Sequence, residues 1–256
     1  MKPAVFRKTL PLDGRWRLDA EADGLTRLSR AGAVRVPRVL GQGVAGGEAW
    51  LELEYFDLCP ADGSGDARLG AALARLHRVT ADRYGLERDN AIGAAPQPNV
   101  PGDDWVTFWR GQRLGFQLDR AAANGHGGRL LERGRRLLER LPAFFAGYRP
   151  LPSLLHGDLW AGNRGMLADG TPVIFDPAVY YGDREADLAM TRLFGGFGTK
   201  FYAAYAAEWP LDAGSATRVD LYNLYHALNH LNLFGGGYRA MAEGMIDRLL
   251  SAAGAS

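Results

Sequence analysis

Three polar residues in the second half of the chain have the types and the spacing that phosphoryl transfer needs. Asp158 lies in the segment HGDLWAGN, Asn163 follows five positions later, and Asp176 ends the apolar segment Pro172–Phe175, which is predicted to be a strand. In this chemistry one carboxylate accepts a hydrogen bond from the attacking hydroxyl, while an amide oxygen and a second carboxylate hold Mg²⁺ against ATP. The pattern therefore predicts Asp158 as the catalytic base, with Asn163 and Asp176 as magnesium ligands.

A lysine and a glutamate near the start of the chain would complete such a site. Lys8 lies on the predicted strand Ala4–Leu10, and Glu21 lies on the predicted helix Leu18–Ala31. In kinases a strand lysine contacts both the ATP phosphates and a helix glutamate. Either residue alone would read as an exposed surface residue, so their order relative to Asp158 is what favours the pairing.

Aromatic residues beside the predicted site are open to two interpretations. Trp160 and Tyr180 can stack on a sugar or can simply pack in the core, and Trp160 is the better ligand candidate because it lies two residues from Asp158. His156 is interpreted as a structural histidine that bonds the backbone near the catalytic loop. The Gly-rich stretches near Gly195 and Gly236 lack the order of a P-loop, so neither is predicted to bind phosphate.

Composition narrows the class of protein. The 256 residues are 47% hydrophobic and 23% charged, with 30 basic against 29 acidic residues, so no net field favours nucleic acid or an anionic membrane. The single cysteine excludes an internal disulfide, and we find no apolar run near the length of a membrane span or a signal peptide. We expect a soluble, cytoplasmic protein.

The order of predicted elements indicates an α+β fold with two lobes. The first helix is preceded in sequence by the predicted strand Ala4–Leu10 and followed by the strands Val34–Gly41 and Trp50–Phe56. Gly63–Gly65 is predicted to be a linker. Residues 85–104 are predicted to be an irregular loop. Further helices are predicted at Asp66–Val79, Trp105–Asn124, Gly128–Ala146, Ala186–Phe194, Lys200–Ala207, Ala216–Phe234 and Gly237–Ala253.

The motifs LLHGDLWAGN at 154–163 and VIFDPAVYYGDREADLAM at 173–190, with LFGGF at 193–197, carry a family resemblance. The chain resembles the fructosamine kinase (ketosamine-3-kinase) family, a branch of the protein-kinase-like superfamily that includes aminoglycoside and choline phosphotransferases. The resemblance implies a bilobal kinase-like fold, with residues 1–60 as a small sheet lobe and residues 61–256 as a larger helical lobe. It also implies the roles of Lys8, Glu21, Asp158, Asn163 and Asp176 given above.

Further roles rest on the resemblance alone. Glu54, Tyr55 and Phe56 would form the hinge whose backbone binds adenine, and ATP and Mg²⁺ would be the cofactors. The acceptor would be O3 of a ketosamine, free or as a glycated lysine, and the phosphorylated adduct would fall apart and free the amine. Asn90 and Gln97 lie in the polar loop that is expected to line the substrate entrance.

One departure from the family pattern limits this interpretation. Family members begin with two strands joined by a Gly-rich loop, on the order of 15 residues, whereas seven residues precede Lys8. A gene start placed too late, a truncation and a genuine absence are three explanations. The strand Ala4–Leu10 would then have a bare edge, which predicts edge-mediated self-association or a disordered N-terminus.

Two other functions stay open at this point. One is a non-catalytic kinase-like binding module, and the other is a kinase of a different hydroxylated amine, of the aminoglycoside or choline type. The presence of Asp158, Asn163 and Asp176 favours an enzyme over a binding module, and the segment DPAVYYGDREAD favours ketosamines over other amines.

Overall fold

The N-terminal lobe is a three-stranded antiparallel sheet with one helix packed on it. In the computed structural model, which describes residues 5–59 and 63–254, the strands are β1 (Val5–Pro11), β2 (Val39–Ala45) and β3 (Glu48–Glu54), in the order β1-β3-β2. A 3₁₀ turn, Leu12–Gly14, leads into helix α1 (Arg15–Ala31). The sheet thus places β1 at an edge and β3 in the centre.

Alternation along β3 explains which face of the sheet is buried. Ala49, Leu51 and Leu53 are buried, while the residues between them are partly exposed, as a period of two requires for a sheet covered on one side. Leu25 and Leu28 of α1 are buried in the same apolar cluster. Burial of this face fixes the register in which Lys8 of β1 pairs with Leu51.

The C-terminal lobe is mostly helical. Its helices are α2 (Gly63–His77), α3 (Trp105–Phe108), α4 (Phe116–Ala123), α5 (Arg129–Arg140), α6 (Glu185–Leu193), α7 (Thr199–Glu208), α8 (Ser215–Phe234) and α9 (Tyr238–Gly254). A π-helix (Trp109–Gly115) joins α3 to α4, and 3₁₀ turns lie at Leu141–Phe145 and Ala161–Asn163. Helix α8 is buried on most of its circumference and forms the centre of the lobe.

Three small two-stranded antiparallel sheets carry the loops that matter for function. Two are hairpins, which pair β4 (Asn90–Ile92) with β5 (Ala95–Gln97) and β7 (Arg164–Met166) with β8 (Pro172–Ile174), and the third pairs β6 (Ser153–Leu155) with the more distant β9 (Tyr180–Gly182). The segment 156–163 leaves β6, and the segment 175–179 leaves β8. Because β6 and β9 are paired, these two segments lie side by side.

The α+β fold with two lobes that is expected from the sequence is confirmed, and several details differ. Gly63–Gly65 is the first turn of α2 rather than a linker, and β2 begins at Val39 because Pro37 has no N–H for a sheet hydrogen bond. The predicted loop 85–104 contains the β4–β5 hairpin. The predicted lobe boundary at residues 60 and 61 falls outside the described residues.

No helix in the described ranges has the length and apolar character needed to cross a bilayer.

Candidate active site

Lys8 lies between two carboxylates. Its Nζ is 2.8 Å and 3.0 Å from the two oxygens of Glu21 on α1, and 2.6 Å from Oδ1 of Asp176. Burial alone would lower the pKa of Lys8, but the charges of Glu21 and Asp176 outweigh it and raise that pKa. The predicted Lys8–Glu21 contact is therefore present, and Lys8 is a cation in the cleft.

Burial has a stronger effect on Glu21. It raises the pKa of Glu21 to about 7, against the attraction of Lys8 and together with the repulsion of Asp176. Helix α1 thus places a carboxyl group whose ionisation depends on the neighbouring lysine.

A buried carboxylate anchors the backbone of the loop that carries Asp158. Asp187 on α6 accepts hydrogen bonds from the backbone N–H groups of His156 and Gly157, each at 2.8 Å. Its Oδ2 is also 3.1 Å from Nε2 of His77. These bonds fix the backbone immediately before Asp158.

A glycine lets this loop approach the neighbouring segment. Gly157 has φ of +83°, and a Cβ at this position would lie 2.0 Å from the carbonyl oxygen of Ala178. The N–H of Ala178 donates to the carbonyl of His156 at 2.8 Å. His156 bonds the Phe175 carbonyl through Nε2 at 2.9 Å, as expected for a structural histidine.

Asp158 is held at the floor of the cleft. The amide nitrogen of Asn163 lies 2.9 Å from the backbone carbonyl of Asp158 and 3.4 Å from its Oδ2. Burial, with the charges of Asp187 and Asp176, raises the pKa of Asp158 to about 7 although the Asn163 contact opposes the shift. A carboxylate with a pKa near neutrality is suited to accept a proton.

Asp176 and Asn163 offer oxygen ligands of the kind that Mg²⁺ prefers. The Asn163 amide nitrogen is also 3.5 Å from the backbone carbonyl of Asp176, so the amide oxygen is the group left for a cation. Asp176 has φ of +56°, an uncommon value outside glycine, and its side chain is half exposed in the cleft. The residues fit a sparse magnesium site completed by phosphates and water.

One cleft of about 400 Å³ is lined by Lys8, Asp158, Asn163 and Asp176. This volume lies within the range of small-molecule sites. The structure therefore brings together the four residues that the sequence predicts for phosphate, base and metal. Within the described ranges no group of three or more His, Cys, Asp or Glu residues could hold a metal.

A second, more apolar cavity adjoins Asp176. Phe6, Pro37, Leu53, Phe56 and Phe175 contribute to its walls, together with Glu54 and Tyr55. The predicted hinge residues thus line a cavity suited to a flat apolar ring. The N–H of Glu54 already donates to the Arg38 carbonyl at 2.9 Å, so ring recognition would fall to other hinge groups.

The residues expected to contact substrate divide into two groups. Trp160 lines the cleft and is 38% exposed. Asn90 and Gln97 are instead buried, and their side-chain amides bond the carbonyls of Val179 and Ala178 at 2.7 Å and 3.0 Å. Their expected place at the substrate entrance is wrong, because they support the segment behind the cleft.

Tyr180 is buried as well. It is 2% exposed, and the guanidinium of Arg113 stacks on its ring at 4.0 Å. It belongs to the core rather than to the substrate surface, which decides between its two interpretations.

Sequence reasoning did not assign roles to Asp187, His77 or His226, which support the site from α6, α2 and α8. The Nδ1 of His226 lies 4.0 Å from Oδ1 of Asp158. Their residue types could have indicated such a role, because a charged or imidazole side chain within an apolar helical stretch needs a buried partner. Their partners are distant in sequence, so spacing alone does not reveal them.

Comparisons with known proteins agree with this geometry. A family model described as Fructosamine kinase matches residues 2–252. A "Probable ketoamine kinase" of Synechocystis is 42% identical over 237 residues, which cover 92% of this chain and 79% of that protein. The chloroplastic protein-ribulosamine 3-kinase of Arabidopsis thaliana is 40% identical over 250 residues, which cover 96% of this chain and 76% of that protein.

A solved structure has the same fold. The crystal structure of a candidate fructosamine-3-kinase from Haemophilus somnus matches with a TM-score of 0.89 and 30% identity, over 97% of this chain and 84% of that chain. The sequence matches and the shared fold lead to one conclusion: this chain belongs to the fructosamine kinase family and is a kinase.

Proposed function

We propose that this protein uses Mg²⁺ and ATP to phosphorylate O3 of the sugar in a ketosamine. The observation that supports this most directly is the arrangement of Lys8, Asp158, Asn163 and Asp176 around one cleft. Phosphoryl transfer depends mainly on positioning and on charge stabilisation, and these four side chains are the parts it needs.

ATP would bind on the side of the cleft between the lobes, where Phe6, Phe56 and Phe175 line an apolar cavity for its adenine. Lys8, whose positive charge is favoured by Glu21 and Asp176, would contact the phosphates. Asn163 and Asp176 would hold Mg²⁺, which would supply positive charge to neutralise the phosphates.

Asp158 acts on the acceptor. Its carboxylate accepts a hydrogen bond from the sugar hydroxyl, orients the hydroxyl oxygen toward the terminal phosphate and takes the proton as transfer proceeds. The raised pKa of Asp158, about 7, makes it a stronger base than an exposed aspartate. Asn163 and the Asp187 anchor keep it in place.

The acceptor class is inferred from the relatives and from the cleft. The relatives named above are called ketoamine kinase and protein-ribulosamine 3-kinase, which supports a sugar joined to an amine. Trp160 provides an aromatic face at the mouth of the cleft on which a sugar or its amine can stack. A glycated lysine side chain fits the same description, and phosphorylation at O3 would lead to release of the amine.

The test is to identify the product. Purified protein is incubated with ATP, Mg²⁺ and a small fructosamine or ribulosamine, and NMR locates the phosphate while an amine assay follows release. We expect phosphate on O3, followed by free amine. Transfer to an aminoglycoside or to choline, with none to either ketosamine, would replace the proposal with a kinase for another hydroxylated amine.

A further inference from the structure

The imidazole of His226, a buried side chain of α8, lies beside the carboxylate of Asp158. Its Nδ1 is buried without a hydrogen-bond partner, and this atom lies 4.0 Å from Oδ1 of Asp158. The His226 side chain is 5% exposed. A buried polar atom without a partner carries a cost of about 1–3 kcal/mol, so its place beside the base calls for a role.

We propose that His226 is a positioning residue, whose Nδ1–H donates to Oδ1 of Asp158 when substrates close the cleft. This inference rests on the proposed function, since it assigns Asp158 as the base. The present distance is about 1 Å longer than a hydrogen bond to a carboxylate. Such bonds are often long before substrates bind and shorten in the reactive complex.

The charge environment selects the form of the imidazole that can donate. Burial, with the charges of His230 and Arg113, lowers the pKa of His226 to about 3, so the ring is neutral. An unprotonated Nδ1 would point its lone pair at a carboxylate oxygen. The favoured tautomer therefore carries its proton on Nδ1, facing Asp158.

With this bond, each of the two carboxylate oxygens of Asp158 would have its own contact. Oδ1 is held by His226 from α8, and Oδ2 lies 3.4 Å from the amide of Asn163. Contacts at both carboxylate oxygens would fix the rotation of the Asp158 side chain. The substrate hydroxyl then meets a carboxylate whose orientation is set before it binds.

Kinetics of three variants test this role. His226→Leu removes the donor, His226→Asn keeps an amide nitrogen close to the Nδ1 position, and Asn223→Leu removes another buried, unpartnered polar group from the same helix. We expect His226→Leu to lower kcat by ~10- to ~100-fold with KM within about threefold, since a small misplacement of a catalytic group costs up to that much. His226→Asn should recover most of the loss, and Asn223→Leu should leave kcat within about twofold.

The kinetic result separates two failures. Equal kcat for the parent and His226→Leu would overturn the role of His226 while leaving the proposed function intact. A loss of kcat that His226→Asn does not restore, or that Asn223→Leu reproduces, would assign His226 a structural role only. An inactive parent would count against the proposed function.

A second measurement does not depend on turnover. NMR of the protein with ¹⁵N-labelled histidine reports which ring nitrogen of His226 carries the proton, with the partly buried His126, between α4 and α5, as the internal reference. We expect the proton on Nδ1, and an Nδ1 shift that changes in Asp158→Ala. A proton on Nε2 alone, or an Nδ1 signal unchanged by Asp158→Ala, would contradict the proposal whatever the activity.

Discussion

At the residue scale, Lys8 is the cation that we propose to contact the ATP phosphates. Lys8 contacts Glu21 and Asp176, and the chain has two other lysines, of which Lys200 is exposed on α7. We predict that Lys8→Met lowers kcat/KM for ATP by at least ~100-fold, because a fixed charge near the phosphates is lost. Steady-state kinetics measure it.

Lys200→Met is the matched control for this prediction, since it removes the same charge from the surface. It should leave kcat/KM for ATP unchanged. A Lys8→Met variant as active as Lys200→Met would show that Lys8 does not bind the phosphates.

Single residues also show where sequence reasoning succeeds. Asp158, Asn163 and Asp176 are close in sequence and follow short strands, so their spacing predicts their common cleft. Asn90 and Gln97 look equally polar in sequence, yet both are buried. Amides satisfy buried carbonyls as readily as they bind ligands, and only the fold decides between these uses.

At the element scale, helix α6 sets the position of the catalytic loop through Asp187. We predict that Asp187→Asn lowers the free energy of unfolding by about 2–4 kcal/mol, because an amide nitrogen would face the N–H groups of His156 and Gly157. Urea unfolding measures this difference. Asp119→Asn, at an exposed ion pair, should cost below about 1 kcal/mol.

The pH dependence of the Asp187 effect has a defined sign. Burial would raise the pKa of Asp187, but its hydrogen bonds with His77 and with the backbone N–H of Gly157 hold that pKa below its usual range. Its stabilisation is therefore complete above the unfolded pKa of about 4 and is lost as pH falls through the lower folded pKa. The difference between parent and Asp187→Asn should shrink in acid, and a difference that grows there would contradict this assignment.

Elements also show the limit of periodicity. The predicted helix Trp105–Asn124 is helical from Trp105 to Ala123, but Trp109–Gly115 is a π-helix. The pattern of apolar residues fixes which face is buried, whereas a change in hydrogen-bond spacing depends on tertiary contacts such as the stacking of Arg113. Short strands such as β4 have too few residues to show a period.

At the scale of the whole molecule, buried histidines oppose folding in acid. Burial lowers the pKa of His77, His156 and His226, the last to about 3. Such residues stay neutral in the fold and protonate near pH 6.5 in the unfolded chain, so their stabilisation is lost as pH falls below 6.5. For His226 we predict a loss of about 2 kcal/mol between pH 7.5 and pH 5.

Buried carboxyls act in the opposite sense. Asp158, Asp183 and Glu21 have pKa values raised to about 7, so they favour the folded state as pH falls toward 4. The contribution of His226 to stability is therefore measured as the difference in the free energy of unfolding between the parent and His226→Asn, from urea unfolding. That difference should decrease by about 2 kcal/mol at pH 5, with His126→Asn as control, and an unchanged difference would contradict it.

The sheet of the N-terminal lobe predicts association. β1 lies at the edge of the sheet, and within residues 5–59 and 63–254 no strand pairs with its outer side. An exposed edge with exposed apolar residues such as Val5 favours pairing with a second copy. We predict concentration-dependent dimers in sedimentation velocity, reduced in Val5→Lys. A parent that stays monomeric at all concentrations tested would be the contrary result.

The central claim is that Asp158 is the base of an ATP-dependent ketosamine kinase. The most direct measurement is the rate of phosphate transfer from ATP to a small fructosamine, compared between the parent and Asp158→Asn at equal folded concentration and saturating Mg²⁺. We predict transfer by the parent and a kcat at least ~100-fold lower in the variant, with the KM for ATP little changed. Equal rates in the two proteins, or no transfer by either, would contradict it.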